Sequence, residues 1–238
     1  MTQLPPAPSR LLLFDLDGTL VRSRGLGRSA LDEAFRARWG WLDATAGISF
    51  AGATDPLIVA RVFEKHGRSA AEARTEEAGL IADYVRRLEA VAEPGIYIPL
   101  PGTQALISAL SERADCVLAV LTGNVEGGAR VKLSAAGFNT FWCVGAFGDE
   151  APARNDLLPV ALDRANALGH RLRAQDAVVI GDTPKDIDVA RAHGARAVAV
   201  ATGPCSRDDL AKHTPDALLD DLSHTTAAIA AILGAPAA

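Results

Sequence analysis

Hydrophobic residues in this chain form short continuous runs, and each run is soon followed by glycine, threonine or aspartate. The clearest runs cover residues 11–14, 116–121, 177–180 and 197–200. Short apolar runs that lead into turn residues are typical of strands buried on both faces of a sheet. The pattern therefore predicts a central sheet of buried strands.

Stretches with helical periodicity lie between and after these runs. Apolar residues recur at helical spacing in residues 103–112, 126–136, 157–168, 184–192 and 206–212. Strands that alternate with helices are typical of a parallel sheet with helices on both faces. The predicted fold is therefore α/β, with a Rossmann-like parallel-sheet core sandwiched by helices. Such sheets bind ligands at the carboxyl ends of their strands.

One stretch departs from this alternation, because residues 24–93 predict helices without a convincing strand. Leu31, Ala34 and Phe35 recur at helical spacing, and two further helices are predicted at 56–66 and 72–91. We interpret this stretch as an inserted helical domain. The predicted divisions are a disordered tail at 1–9, a core domain formed by 10–22 and 95–238, and the helical insert at 23–94.

Composition narrows the classes of protein that the chain can represent. Its 238 residues are 49% hydrophobic and 22% charged, which suits one large core and a smaller subdomain. The net charge of -5 offers no basic surface, so we expect neither nucleic acid nor a membrane as partner.

The first apolar run is too short for a signal or spanning segment, and the three cysteines lack metal-ligand spacing. We expect a cytoplasmic monomer or homodimer.

The residues that follow the first predicted strand carry the strongest chemical signal. They are Asp15, Asp17, Gly18 and Thr19. Alternate residues of a strand point the same way, so the two carboxylates are expected to face one site. Two nearby anions repel each other unless a cation neutralises them, and hard oxygen ligands favour Mg²⁺. The alternative is an ordinary turn, because acidic residues before glycine are common in turns.

Two later predicted strands also end in polar residues. Thr122, Gly123 and Asn124 follow one strand, and Asp182 and Asp186 follow the other. A hydroxyl and free backbone N–H groups at the start of a helix can bind phosphate oxygens. The alternatives are a helix N-cap for the first group and an acidic helix start for the second. Because the carboxyl ends of parallel strands meet at one edge, we expect all three groups to form one site.

In order and spacing, these three motifs resemble those of the haloacid dehalogenase-like hydrolase superfamily. The resemblance covers the chain from Leu11 to about Gly203, and the helical insert resembles the cap domain of that superfamily. The segment Gly52-Ala53-Thr54-Asp55 and the pair Pro101-Gly102 are similar to the phosphoglycolate phosphatase-like branch.

The resemblance implies a Mg²⁺-dependent phosphatase that hydrolyses a small phosphorylated metabolite of the phosphoglycolate or sugar phosphate type. It assigns Asp15 as the nucleophile that becomes a phosphoaspartate. It assigns Asp17 as general acid and then base, for which the pKa of Asp17 is expected to be raised. It places Mg²⁺ at the Asp15 carboxylate, the Asp17 backbone carbonyl and Asp182, with Asp186 behind them. The implied phosphate-binding residues are Thr122, Gly123 and Asn124.

The family usually places a lysine between the threonine motif and the last acidic motif. In this chain the best match is Arg154, which is expected to balance the charge of Asp15 and contact the phosphoryl group. Lys132 and Lys185 are rivals for this role. Lys132 is interpreted as a solvated residue of the helix after Thr122, and Lys185 comes late in the motif order.

Substrate specificity is expected to come from the cap. Thr54 lies in the cap stretch that approaches the active site in the resembled branch, so it is a candidate substrate-binding residue. The alternative is that Thr54 and Asp55 cap the helix predicted from Pro56.

Two alternatives to a phosphatase stay open. A phosphomutase keeps the same motifs and differs in how the cap excludes water, whereas a non-catalytic relative would only bind a phosphorylated ligand. The presence of Asp15, Asp17, Thr122 and Asp182 together argues against a degenerate site. Dehalogenation is disfavoured, because dehalogenating relatives lack the second aspartate that Asp17 supplies.

Overall fold

The structure is a computed structural model that describes residues 10–138, 142 and 144–234. The tail predicted at 1–9 lies outside the described residues, as does Cys143. Cys116 and Cys205 are free thiols.

A six-stranded parallel sheet forms the centre of the molecule and confirms the predicted α/β core. The strand order is β5-β4-β1-β6-β7-β8, so β1 lies between β4 and β6. The four predicted strands are the inner ones, while the two short edge strands β5 and β8 carry too few residues to stand out as patterns. The strands are β1 (Arg10–Phe14), β4 (Cys116–Leu121), β5 (Val144–Ala146), β6 (Ala177–Gly181), β7 (Arg196–Val200) and β8 (Ala217–Leu219).

Successive side chains of each strand point to opposite faces of the sheet, so each face carries its own hydrophobic layer. Leu12 and Phe14 pack under α4, α5 and α9, whereas Leu11 and Leu13 pack under α6, α7 and α8. The alanine-rich α9 lacks a clear apolar stripe and was not predicted. The helices of the core are α4 (Thr103–Ser111), α5 (Glu126–Ala135), α6 (Leu157–Ala167), α7 (Pro184–Ala192), α8 (Arg207–Lys212) and α9 (Thr225–Leu233).

The helical insert predicted after the first motif is present as three helices, α1 (Leu26–Trp39), α2 (Asp55–Lys65) and α3 (Ala70–Val91). A two-stranded antiparallel ribbon of β2 (Val21–Arg22) and β3 (Ile98–Pro99) joins the insert to the core on both sides. The domain boundaries given above stay predictions. Among the described residues, no helix is both long and apolar enough to cross a membrane.

Aromatic packing gives the cap its own core. Trp39 and Trp41 stack with ring centroids 5.3 Å apart, and Phe63 meets both rings edge-on. Phe35 is fully buried beside them. The two tryptophans are therefore packing residues of the cap.

Candidate active site

A cavity of about 310 Å³ lies at the carboxyl edge of the sheet, beneath the cap. The backbone N–H of Asp15 donates to the carbonyl of Ile180 at 2.8 Å, which places the ends of β1 and β6 side by side. The three predicted motifs therefore meet at one site, as the strand order requires. The lining includes Asp15, Asp17, Thr122, Gly123, Asn124, Arg154 and Asp182.

Three buried carboxylates meet at the edge of this cavity, which Asp15 and Asp182 line. Asp15, Asp182 and Asp186 each offer an oxygen, and these oxygens lie within 4.8 Å of one another. Burial raises the pKa of Asp15 to about 6. Burial and the negative charge of the neighbouring Asp15 together raise the pKa of Asp182 well above its usual range. Oδ2 of Asp182 has no hydrogen-bond partner within the described residues. Such a cluster has the donor type and the unbalanced charge that a hard divalent cation requires.

Asp186 has a second role at the start of α7. Its Oδ2 accepts hydrogen bonds from the backbone N–H and the hydroxyl of Thr183, at 3.0 and 2.8 Å. The acidic helix start weighed as the alternative for this motif is therefore present together with the carboxylate cluster.

Arg154 is the cation that faces Asp15. Its short 3₁₀ helix, Arg154–Asp156, brings Nη2 to 3.0 Å from Oδ1 of Asp15 and into contact with Asp186. Burial alone would lower the pKa of Arg154, but the two carboxylates raise it above its usual value. The rival Lys185 is exposed and pairs with Asp188 at 3.4 Å.

Lys132 does not lie on a solvated face, so that interpretation is wrong. The side chain is only 3% exposed, because its position on α5 points towards the core. Its Nζ lies 2.6 Å from Oδ2 of Asp17 and 2.6 Å from Oδ1 of Asn124. Lys132 therefore pairs with the second aspartate of the first motif, whereas Arg154 pairs with Asp15.

This pairing also corrects the expected electrostatics of Asp17. Burial alone would raise the pKa of Asp17, but the ammonium of Lys132 and the Asn124 amide outweigh that effect and hold it below its usual value. The pKa of Asp17 is therefore lowered in this arrangement, and the expectation of a raised pKa is wrong for it. Its side chain also takes no part in the carboxylate cluster.

The loop after β4 joins the phosphate-binding candidates to the cap. Thr122 is buried, and its hydroxyl oxygen accepts hydrogen bonds from the Asn124 backbone N–H at 3.3 Å and side-chain amide at 2.8 Å. The carbonyl of Gly123 accepts from the backbone N–H of Asp55 at 2.8 Å. A side chain at Gly123 would collide with the carbonyl of Ala53, so the cap loop lies directly on this glycine.

Thr54 caps α2, as the alternative interpretation had it. Its hydroxyl oxygen accepts from the backbone N–H of Leu57 at 3.3 Å. The cap residues that line the cavity include its neighbours Phe50, Ala51, Gly52 and Ala53. A role for Thr54 in binding substrate stays a prediction.

Sequence reasoning missed the loop after β7. The hydroxyl of Thr202 donates to the carbonyl of Gly18 at 2.6 Å, and Gly203 lies against the carboxylate of Asp182. Both residues line the cavity. The signal was available, because Thr202 and Gly203 follow a predicted strand as the other motifs do.

Comparison with known proteins agrees with this geometry. Residues 10–194 match the family described as haloacid dehalogenase-like hydrolase. A phosphoglycolate phosphatase from Rhodospirillum rubrum is 30% identical over 221 residues, which cover 90% of this chain and 88% of that protein. The similarity therefore extends over both the cap and the core.

Solved structures share the fold at lower identity. CbbY from Rhodobacter sphaeroides in complex with phosphate superposes with a TM-score of 0.68 at 22% identity, over 90% of this chain and 95% of that one. A CbbY variant in complex with xylulose-(1,5)bisphosphate gives a TM-score of 0.69 at 24% identity, with the same coverage. These likenesses agree with an α/β core that carries a helical cap.

Proposed function

Because the chain belongs to the haloacid dehalogenase-like hydrolase family, we propose that it hydrolyses a small phosphate ester through a phosphoaspartate on Asp15. The observation that carries this proposal is the meeting of Asp15, Asp182 and Asp186 beside Arg154 at the carboxyl edge of the sheet. The nucleophile, the charge-balancing cation and Asp182 of the carboxylate cluster then line one cavity. A phosphoryl group bound there would meet all three.

The carboxylate cluster fits a bound Mg²⁺. Asp15 and Asp182 would hold the ion together with the backbone carbonyl of Asp17, and Asp186 would support them from behind. The partnerless Oδ2 of Asp182 supports this assignment, because a buried carboxylate oxygen without a donor is costly unless a cation satisfies it. When bound, the ion neutralises the negative charge that gathers on the phosphoryl oxygens.

The residues of the chain divide the reaction between them. The Asp15 carboxylate attacks phosphorus in line, forming a carboxylate–phosphorus bond as the ester bond to the leaving oxygen breaks. In its protonated form Asp17 gives a proton to that oxygen. As the carboxylate that its lowered pKa favours, it then takes a proton from the water that hydrolyses the phosphoaspartate. Thr122 and Gly123 bind phosphoryl oxygens, and Asn124 supports them. Arg154 keeps the Asp15 site from accumulating negative charge.

The substrate is proposed to be of the phosphoglycolate or sugar phosphate type. The cavity of about 310 Å³ suits a small molecule, and the similar protein from R. rubrum is a phosphoglycolate phosphatase. A mutase would use the same residues. Hydrolysis is preferred because the family and this relative are both hydrolases.

A panel of phosphorylated metabolites, together with para-nitrophenyl phosphate, tests the proposal by released phosphate. We expect turnover with Mg²⁺ present and its loss in Asp15→Asn, because the amide cannot attack phosphorus. Asp163→Asn is the matched control, since that side chain is exposed on α6. Undiminished turnover by Asp15→Asn would contradict the assignment of Asp15 as the nucleophile. No turnover of any ester by the wild type would contradict the proposed phosphatase activity.

A further inference from the structure

Lys132 is a buried lysine on a helix that carries none of the three motifs. Its Nζ sits 2.6 Å from Oδ2 of Asp17, in an ion pair whose residues are 115 positions apart in the chain. Burying an ammonium is costly unless it is paired and hydrogen-bonded, so the fold keeps this lysine at a cost that a simple apolar residue would avoid. The roles proposed above leave this ion pair unexplained.

The ammonium also sets the orientation of a neighbouring amide. Lys132 can only donate, so Oδ1 of Asn124 must face it, at 2.6 Å. The amide nitrogen of Asn124 is then turned towards Oδ2 of Asp17 at 2.7 Å and the hydroxyl oxygen of Thr122 at 2.8 Å. One lysine thereby orders a network that joins the first motif to the second.

The Asp17 carboxylate is held through one of its two oxygens. Both donors, from Lys132 and Asn124, meet Oδ2, while Oδ1 has no hydrogen-bond partner among the described residues. Without the lysine, Asp17 would keep the Asn124 amide and the nearby Ser23 hydroxyl, and that amide would lose the contact that fixes its orientation. The direction of the Asp17 carboxylate therefore depends on Lys132.

The cap encloses this ion pair from the other side. A second cavity, of about 210 Å³, is lined by Asp17, Lys132 and the cap residues Tyr84 and Gly27. A Cβ on Gly27 would lie 3.4 Å from the Tyr84 hydroxyl and 3.6 Å from Nζ of Lys132, so the cap backbone approaches the ammonium closely. Exclusion of water strengthens the electrostatic hold of the lysine on Asp17.

We propose that Lys132 is a positioning residue that acts through Asp17, holding its carboxylate in place for proton transfer to the leaving oxygen. The inference rests on the proposed phosphatase function. It differs from charge balance at the nucleophile, which Arg154 supplies. Asp17 lines the cavity of the nucleophile as well as the second cavity. Because Lys132 and Asn124 both contact Oδ2, they determine where Oδ1 lies relative to the leaving oxygen.

The test compares leaving groups in the variant Lys132→Met, which removes the ammonium and keeps most of the volume. An alkyl phosphate such as phosphoglycolate needs a proton on its leaving oxygen, whereas para-nitrophenolate leaves as a stable anion. General acid catalysis contributes about 10²- to 10⁴-fold, so we expect kcat/KM for the alkyl ester to fall by about 10²-fold and that for para-nitrophenyl phosphate by less than about tenfold. kcat/KM is the proper measure, because it reports the steps up to ester cleavage.

Equal losses with both esters, or no loss with either, would overturn the proposal. A merely structural role would lower both values together. Lys212→Met is the matched control, because that lysine is 71% exposed on α8. Lys132→Gln keeps a hydrogen-bond donor and is the second variant if Lys132→Met does not fold. In Lys132→Gln, kcat/KM must also fall more for the alkyl ester than for para-nitrophenyl phosphate. Wild-type protein inactive on every ester would instead refute the phosphatase function itself.

Discussion

Nη2 of Arg154 lies 3.0 Å from Oδ1 of Asp15, and the same nitrogen also contacts Asp186. One nitrogen thus ties the first motif to the last, while Nε of Arg154 has no hydrogen-bond partner among the described residues. The contact uses the charge of arginine more than its forked shape. An arginine can therefore stand where the family usually has a lysine.

This geometry predicts different outcomes for two substitutions of Arg154. Arg154→Met leaves the buried carboxylates without their cation, and we expect kcat/KM for para-nitrophenyl phosphate to fall by about 10²- to 10³-fold. Arg154→Lys should stay within about tenfold of the wild type, because a single ammonium can contact both carboxylates. Arg171→Met, an exposed change in the loop before β6, serves as control. A Met variant as active as the wild type would refute the role of Arg154.

Gly203 gives a separate test of the proposed metal site. A Cβ at this position would collide with Oδ2 of Asp182, so Gly203→Ala must displace that carboxylate. Disturbing the surroundings of a metal ligand typically costs about 10- to 100-fold in metal affinity, so we expect the Mg²⁺ concentration for half-maximal activity to rise by about tenfold or more. A chelator should abolish turnover in both proteins, and added Mg²⁺ should restore it.

The control for this change is Gly128→Ala on α5. A Cβ there would make ordinary contacts at 3.5 Å or more, and its backbone is helical. An unchanged Mg²⁺ requirement in Gly203→Ala, with the fold intact, would show that Asp182 does not hold the ion.

The arrangement of the site followed from the sequence wherever a polar group directly follows a buried strand. Asp15, Thr122 and Asp182 each end an apolar run, and parallel strands bring such ends to one edge of the sheet. The location of a side chain at a strand end is a local property of the sequence. Its grouping with the other strand ends then follows from the topology alone.

Lys132 belongs to the site but does not follow a strand, so the argument from strand ends does not predict it. Position 132 shares the buried face of α5 with Gly128, Ala129 and Leu133. The helical pattern could therefore have predicted that Lys132 is buried. The pattern could not have predicted that Asp17 is its partner. Asp17 lies in a different motif, and only the packing of α5 brings the two side chains together. The lowered pKa of Asp17 follows from that contact and was therefore missed as well.

Asp55 connects the cap to the core and gives a prediction for stability. Its backbone N–H donates to the carbonyl of Gly123 at 2.8 Å, and its Oδ2 accepts from the backbone N–H of Val125 at 2.9 Å. Burial, only partly offset by Lys132, raises the pKa of Asp55 from 3.8 to about 6. Between these values the folded protein keeps a proton that the unfolded chain has lost, so the free energy of unfolding falls as the pH rises.

Asp55→Asn should remove that loss, because the amide stays neutral and its oxygen can still accept from Val125. A pKa difference of about two units corresponds to about 3 kcal/mol, so the variant should gain roughly that much relative to the wild type between about pH 4 and about pH 7. Urea unfolding at both pH values, with divalent metal chelated, measures the difference. Asp163→Asn, exposed on α6, should show no such gain. If wild type and Asp55→Asn lost stability in parallel as the pH rose, the buried carboxylate would not be the group that titrates, and the connection between cap and core would be independent of pH.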